Sequence, residues 1–259
     1  MKIAYIGIDL FYPALEVLSS MCEITEIFTC ETDNETEFNI KIIEFAEKNS
    51  IPYTKSRITK KDIERLKKKG CNAAVCAGYY FKIPADTSLK IVNIHPSLLP
   101  VGRGSWPMPQ TILRGLEKSG VTIHKIVEEF DAGDILLQEK FALDEKETLV
   151  GFMEKVYGLL PDMLKNLVMN FDELYENAAP QEMSEYWEAP KEEDFTIYPE
   201  TMATEADLIL RAFMGYDCIY KTAEEKYILR GGRVVQTPQK FVIDGGYIKA
   251  ENIKKYPRQ

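Results

Sequence analysis

The chain has 259 residues, of which 45% are apolar and 28% charged. These are the proportions of a globular protein with one large domain or one and a half, at roughly 100–200 residues per domain. With 32 Lys and Arg against 41 Asp and Glu the formal charge is −9, which weighs against broad phosphate-backbone binding but leaves room for a local basic patch.

Two histidines, His95 and His124, argue against a histidine-rich metal site. The opening run Lys2–Gly7 stops at Gly7 and Asp9, too short for a signal peptide. No apolar run approaches the ~20 residues that span a bilayer. The cysteines at 22, 30, 71, 76 and 218 are odd in number, and no second close pair completes a zinc set. Reduced, buried thiols and a cytoplasmic protein without membrane partners are expected.

In chain order, Lys2–Gly7 is a turn-bounded apolar run that predicts a buried strand. A helix over 13–20 follows, with Leu15 and Leu18 on one face. Ile24–Thr29 predicts a second strand. Phe38, Ile42 and Phe45 recur at i, i+4 and i+7, the period of one helix face. Lys60–Lys69 predicts another helix, with Ile63 and Leu66 inward. Ala73–Ala77 suits a crowded central strand, and Ile91–Ile94 gives the next. Strands separated by helical stretches imply βαβ units and a mostly parallel sheet, an α/β fold. Val121–Val127 and Ile135–Leu143 then predict two strands around the turn Asp131-Ala132-Gly133-Asp134. Leu149, Phe152, Val156, Leu160, Met163 and Leu167 recur at helical spacing, with a kink or break expected at Pro161.

Charge marks the boundaries. Residues 1–175 read as one domain. Residues 176–207 hold ten acids, one base and three prolines, as in an extended connector. Residues 208–259 carry a net +5 and short β-like runs at Tyr227–Leu229, Val234–Val235 and Phe241–Ile243. Gly231-Gly232 and Gly245-Gly246 supply turns between them, which predicts a small β-rich C-terminal subdomain.

The chemistry concentrates between residues 91 and 138. Asn93 and His95 share one side of a predicted strand, and Pro96 ends the ladder. An amide and an imidazole at the carboxyl edge of a parallel strand sit where open α/β sheets bind ligands. A histidine that starts a loop can equally hydrogen-bond its own turn. Asp131, 36 residues further on, can orient that imidazole and favour its protonated form, or simply shape its turn.

The stretch Asn93-Ile94-His95-Pro96-Ser97-Leu98-Leu99-Pro100, followed by Phe130-Asp131-Ala132-Gly133-Asp134-Ile135-Leu136, resembles the 10-formyltetrahydrofolate-dependent formyltransferases. That family includes glycinamide ribonucleotide, methionyl-tRNA and amino-sugar N-formyltransferases. Gly120-Val121-Thr122-Ile123-His124 and the Lys2–Gly7 strand fit the same pattern, so the resemblance covers residues 1–175. It implies a Rossmann-like core, 10-formyltetrahydrofolate as co-substrate, no metal, and a catalytic trio of Asn93, His95 and Asp131. In that chemistry a neutral amine attacks the formyl carbon. Asn93 donates to the oxyanion, a contact of about 2.7–4 kcal/mol. His95 donates to the same oxygen or shuttles the proton lost by the amine. Asp131 holds the imidazole and favours its charged form. The split of proton transfers between His95 and Asp131 stays open.

The resemblance also implies a pterin slot between residues 77–84 and 128–131. Backbone groups of Phe81, Ile83 and Glu128 bind there, with Tyr80 and Phe130 packing nearby; these aromatics also suit ordinary packing. His124 lines the acceptor side in sugar- and peptide-formylating members, although its mid-strand position favours a satisfied sheet-face histidine. Arg103 and Trp106, in the loop after the motif, can meet an anionic or ring-bearing acceptor or pin the next helix.

A small-molecule amine is the expected acceptor. Glycinamide ribonucleotide fits poorly, because Gly7-Ile8-Asp9-Leu10-Phe11-Tyr12 lacks the small residues that wrap a phosphate. Methionyl-tRNA is the rival. The four acids of Glu31–Glu37 stand where tRNA-acting members carry a basic insertion, and the basic tail is short. Lys55–Lys69 holds eight bases against two acids, but reads as a solvated helix face. A nucleotide-linked amino sugar is therefore expected, with tRNA as the alternative. A formyltetrahydrofolate hydrolase would carry a further domain before the Lys2 strand. A non-catalytic folate-binding protein would not need the intact trio. A homodimer is compatible with all of these readings.

Overall fold

The computed structural model describes residues 1–31, 38–182 and 185–256. The first half runs β1 (Lys2–Gly7), α1 (Tyr12–Met21), β2 (Glu23–Phe28), α2 (Ile40–Lys48), β3 (Tyr53–Thr54), α3 (Lys60–Lys68), β4 (Ala73–Ala77) and β5 (Lys90–His95). Next come α4 (Pro107–Leu113), β6 (Lys118–Lys125), β7 (Ile135–Ala142), α5 (Leu149–Met169), α6 (Phe171–Glu176), β8 (Thr196–Ile197) and α7 (Ala203–Ala212). The chain then runs β9 (Cys218–Lys221), β10 (Lys226–Leu229), β11 (Gly232–Val235), β12 (Phe241–Ile243), β13 (Gly246–Ala250) and β14 (Ile253–Lys255).

Seven strands form one sheet in the order β3-β2-β1-β4-β5-β6-β7. The pairs among β1 to β5 are parallel, and β6 runs antiparallel to β5. This is the α/β, mostly parallel architecture that the alternation of strands and helices predicts. β4 is buried at every residue of Ala-Ala-Val-Cys-Ala, since a central strand covered on both faces has room only for small side chains. The three β-like runs of the tail are the strands β10, β11 and β12. They belong to two small sheets, β14-β10-β9-β8 and β11-β13-β12.

Two local expectations change. Phe38 lies before α2 and is exposed; the buried face of α2 is Ile42 and Ala46. The helix starts at Ile40 because the Asp9 carboxylate accepts the backbone N–H groups of Lys41 and Ile42, at 2.9 and 3.0 Å, an anion at the positive end of a helix. α5 runs through Pro161 without a break. Pro161 faces outward, so the carbonyl one turn earlier, which loses its N–H partner, lies on the side that meets water. Trp-Pro-Met-Pro opens α4, where the missing proline N–H groups fall among those the first turn leaves unpaired.

Compactness divides the chain elsewhere than the charge boundaries do. One unit comprises Met1–Arg103, Gly120–Phe141 and Lys155–Tyr186; the other comprises Gly104–Ser119, Ala142–Glu154 and Trp187–Gln259. In the second unit a Cβ on Gly104 would lie 2.1 Å from the Trp187 carbonyl oxygen, so only glycine permits that approach. The stretch 176–207 contains β8 and the start of α7, so it is not uniformly extended.

In the first unit, α3 carries the basic run. Arg65 and Lys69 converge on Glu26, which is buried, while Lys60 reaches Asp86. Part of that face is thus internally paired. Thr59 caps the helix: its hydroxyl accepts from the Asp62 N–H at 3.3 Å, and the Asp62 carboxylate accepts from the Thr59 N–H at 2.9 Å. Thr59→Ala should cost about 1 kcal/mol, read as a lower urea midpoint with an unchanged m-value; an unmoved midpoint would show the cap to be idle.

The acidic stretch Glu31–Glu37 lies, apart from Glu31, outside the described residues. No helix among the described residues is long and apolar enough to cross a membrane. All five cysteines are free thiols, four buried and Cys22 half-buried.

Candidate active site

The first unit assembles the site from two neighbouring strands and one turn. In the antiparallel register of β5 and β6, Asn93 faces His124 and His95 faces Thr122. Facing residues of an antiparallel pair project from the same side of the sheet, so both histidines stand beside Asn93. The Asn93 amide nitrogen lies 3.1 Å from His124 Nε2. His124 Nδ1 lies 2.9 Å from the Lys125 carbonyl oxygen. A carbonyl only accepts, so Nδ1 carries the hydrogen, and Nε2 accepts from Asn93. The second hydrogen of the Asn93 amide is left for another acceptor.

His95 is buried, and its Nε2 lies 2.8 Å from the Gly102 carbonyl oxygen. The same logic puts the hydrogen on Nε2 and leaves Nδ1 facing Asp131, 3.6 Å from Oδ1. That same oxygen is 3.5 Å from His124 Nε2. Three groups therefore converge: two imidazole nitrogens and one carboxylate oxygen.

The loop that carries Gly102 is pinned. The Ser97 hydroxyl donates to the Val101 carbonyl at 2.8 Å, and the Thr122 hydroxyl donates to the Ser97 carbonyl at 2.7 Å. The Gln138 amide donates to the Leu99 carbonyl and to Thr122 Oγ1, at 2.8 and 2.9 Å. Thr122 stands inside the Gly120–His124 run of the resemblance without a role of its own there, and Gln138 stands outside every motif. Thr122 lay two residues before His124, the spacing that shares a strand face; Gln138 carried no comparable signal.

Burial sets the protonation of His95. Its pKa lies below the ordinary 6.5, chiefly because burial disfavours the cation. The Asp131 carboxylate pulls it up, the His124 charge pushes it down and the Gly102 carbonyl pulls it up. Asp131 was expected to favour the charged imidazole; desolvation outweighs it, and the neutral form prevails at pH 7. The unfolded chain therefore takes up this proton first as pH falls. The contribution of His95 to stability is present above about 6.5 and is lost as pH drops through that value toward the folded-state pKa. Wild type should lose urea resistance between pH 7.5 and 5.5 more steeply than His95→Gln. Parallel curves would contradict the assignment.

Asp131 sits in the left-handed region, at φ 53°, a conformation that aspartate tolerates better than most residues. Two residues on, a Cβ at Gly133 would lie 2.0 Å from the Lys125 carbonyl oxygen.

The expected cofactor residues divide by exposure. Tyr80, Phe81 and Phe130 are exposed large aromatics, while the Ile83 side chain is buried. Lys82 pairs with the Glu128 carboxylate and lies 5.8 Å over the Phe130 ring, which joins the two loops expected to flank the pterin.

Arg103 and Trp106 each find partners within their own unit. The Arg103 guanidinium is buried, donating to Glu129 Oε1 at 2.6 Å and to the Phe130 carbonyl at 2.9 Å. It braces the residues before Asp131 from inside the fold. Trp106, in the second unit, packs edge-on against Tyr216 with ring centroids 4.8 Å apart.

A profile of the formyl transferase family matches residues 25–166. The chain belongs to the formyl transferase family. It is 35% identical over 150 residues to the methionyl-tRNA formyltransferase of Ehrlichia ruminantium, a match covering 56% of this chain and 48% of that protein. It thus spans about half the length of that relative. Across 278 residues it is 27% identical to the methionyl-tRNA formyltransferase of Rickettsia massiliae, covering 98% of this chain and 92% of that one. Among solved structures it superimposes on the N-formyltransferase of Helicobacter canadensis, crystallised with folinic acid and dTDP-3-aminofucose, with a TM-score of 0.68. That match is 17% identical and covers 98% of this chain and 99% of the other, a likeness of fold.

Proposed function

We propose that this chain transfers a formyl group from 10-formyltetrahydrofolate to a primary amine. The observation that carries the reading is the convergence of His95 Nδ1, His124 Nε2 and Asp131 Oδ1 beside the Asn93 amide. The folate, when bound, supplies the activated formyl carbon. The remaining Asn93 N–H donates to the carbonyl oxygen as negative charge develops on it. The neutral His95 Nδ1 and the Asp131 carboxylate are positioned to take the proton that the attacking amine loses and to return it to the folate nitrogen as its bond to the formyl carbon breaks. His124 is a positioning residue here, because it fixes the direction of the Asn93 amide.

The exposed faces of Tyr80, Phe81 and Phe130 suit a flat heteroaromatic ring. The backbone of Phe81, Ile83 and Glu128 supplies the hydrogen bonds such a ring needs. Residues 1–175 carry this chemistry, with 176–207 leading to 208–259.

For the acceptor, the names of the Ehrlichia and Rickettsia relatives favour the α-amine of methionyl-tRNA over the amino sugar expected from the sequence. The net +5 of residues 208–259 also suits a polyanionic acceptor such as tRNA. The amino-sugar reading keeps one support, the ligand of the Helicobacter fold relative. Incubating the protein with 10-formyltetrahydrofolate and either methionyl-tRNA or dTDP-3-aminofucose tests both. Formyl-methionyl-tRNA alone supports the first acceptor, and formylated sugar alone supports the second. Folate turnover without any formylated amine would overturn the transfer reading.

A further inference from the structure

The turn that carries Asp131 is held from outside the motif. Its backbone carbonyls at Phe130, Asp131 and Gly133 all accept hydrogen bonds from side chains. Arg103 donates to the first, and a single amide nitrogen, Gln181 Nε2, donates to the other two, at 3.0 Å to Asp131 and 2.5 Å to Gly133. Just upstream of Gln181, Ala179 and Ile135 exchange both backbone hydrogen bonds, at 2.7 and 2.8 Å. Residues 179–181 thus run along 131–135 as a strap within the first unit.

We infer that Gln181 is a positioning residue for the reaction. It holds Asp131 in its left-handed backbone conformation and so keeps Oδ1 between His95 and His124. A glutamine suits this place because one neutral nitrogen carries two hydrogens, one for each carbonyl. Glutamate, of the same shape, has no donor when ionised and would set an anion against two carbonyl oxygens and near the Asp131 carboxylate. Among the described residues, the buried Gln181 side-chain carbonyl has no hydrogen-bond partner. The residue tolerates that loss so as to aim its nitrogen at the turn.

The inference rests on the proposed role of Asp131, so Asp131→Asn is the control. Gln181→Met keeps the volume and removes the donors; Gln181→Glu is a second variant should the first fold poorly, and thermal melts establish that each is folded. With only two histidines, the imidazole nitrogen signals of His95 and His124 are readily separated by NMR. Asp131→Asn removes a charge that raises the His95 pKa, so the His95 titration midpoint should fall. Gln181→Met should move it the same way by a smaller amount. With methionyl-tRNA or dTDP-3-aminofucose as the amine, kcat should fall roughly 10–10²-fold, while KM for 10-formyltetrahydrofolate stays within about two-fold. A merely structural glutamine would lower the melting temperature and leave the His95 signal in place. If Asp131→Asn moves the signal and abolishes transfer while both Gln181 variants match wild type, the inference is overturned. If Asp131→Asn itself leaves signal and turnover unchanged, the role assigned to Asp131 fails instead.

Discussion

Replacing His95 with alanine should lower kcat for formyl transfer by about 10²–10⁴-fold, the range associated with a positioned acid–base group. The fold should survive, because the imidazole makes its polar contacts with one carbonyl, Gly102, and faces one carboxylate. Folate affinity should change little, since the aromatic faces that suit a pterin lie on the loops at 80–81 and at 130. The measurement is single-turnover transfer together with equilibrium folate binding. Turnover within a factor of a few of wild type would remove His95 from the chemistry. Asn93→Ala should produce a comparable fall of about 10²–10³-fold, because its free N–H has no substitute among the groups that converge on Asp131.

The second large effect concerns stability. Gly133→Ala should destabilise the protein by about 3 kcal/mol, the upper range for forcing a methyl into a packed site. The added carbon would stand 2.0 Å from the carbonyl oxygen of Lys125, the last residue of β6. The neighbouring Asp134 carbonyl accepts the Lys125 N–H at 2.9 Å, so backing away breaks a ladder contact at the base of the turn. Activity should fall further than stability predicts, since Asp131 is displaced as well. Urea unfolding and turnover measured on the same preparation would separate the two. An alanine variant with wild-type stability would show that the turn has slack.

Much of this was legible in the sequence, and what was not has a common cause. β1, β4 and β5 announced themselves as short apolar runs, and Asn93 and His95 fell on one side of a strand by the period of two. The His124–Asn93 contact could not be read that way. It depends on β6 running antiparallel to β5 in one particular register, and a one-residue slip would send His124 to the other face. The burial of Arg103 leaves no trace in the local sequence, because its partners lie 26 and 27 residues away. Gln181 was hidden for the same reason, 48 and 50 residues from the carbonyls it serves and inside an acidic stretch with no periodic signal. Polar contacts of long sequence separation leave no local pattern, whereas apolar periodicity does. Phe38 marks the limit of periodicity, since a cap from distant Asp9 decided where that helix begins.

The pair between Lys82 and Glu128 is open to water and to dissolved ions. Glu128 is 82% exposed and Lys82 37%, and an ion pair so open to water contributes only about 0–1 kcal/mol. Mobile ions weaken it further, with a screening length of about 8 Å at physiological ionic strength. The pair therefore adds to the link between the two loops an attraction only of the order of thermal energy. Breaking this contact is within reach of ordinary thermal motion, and more so at high salt.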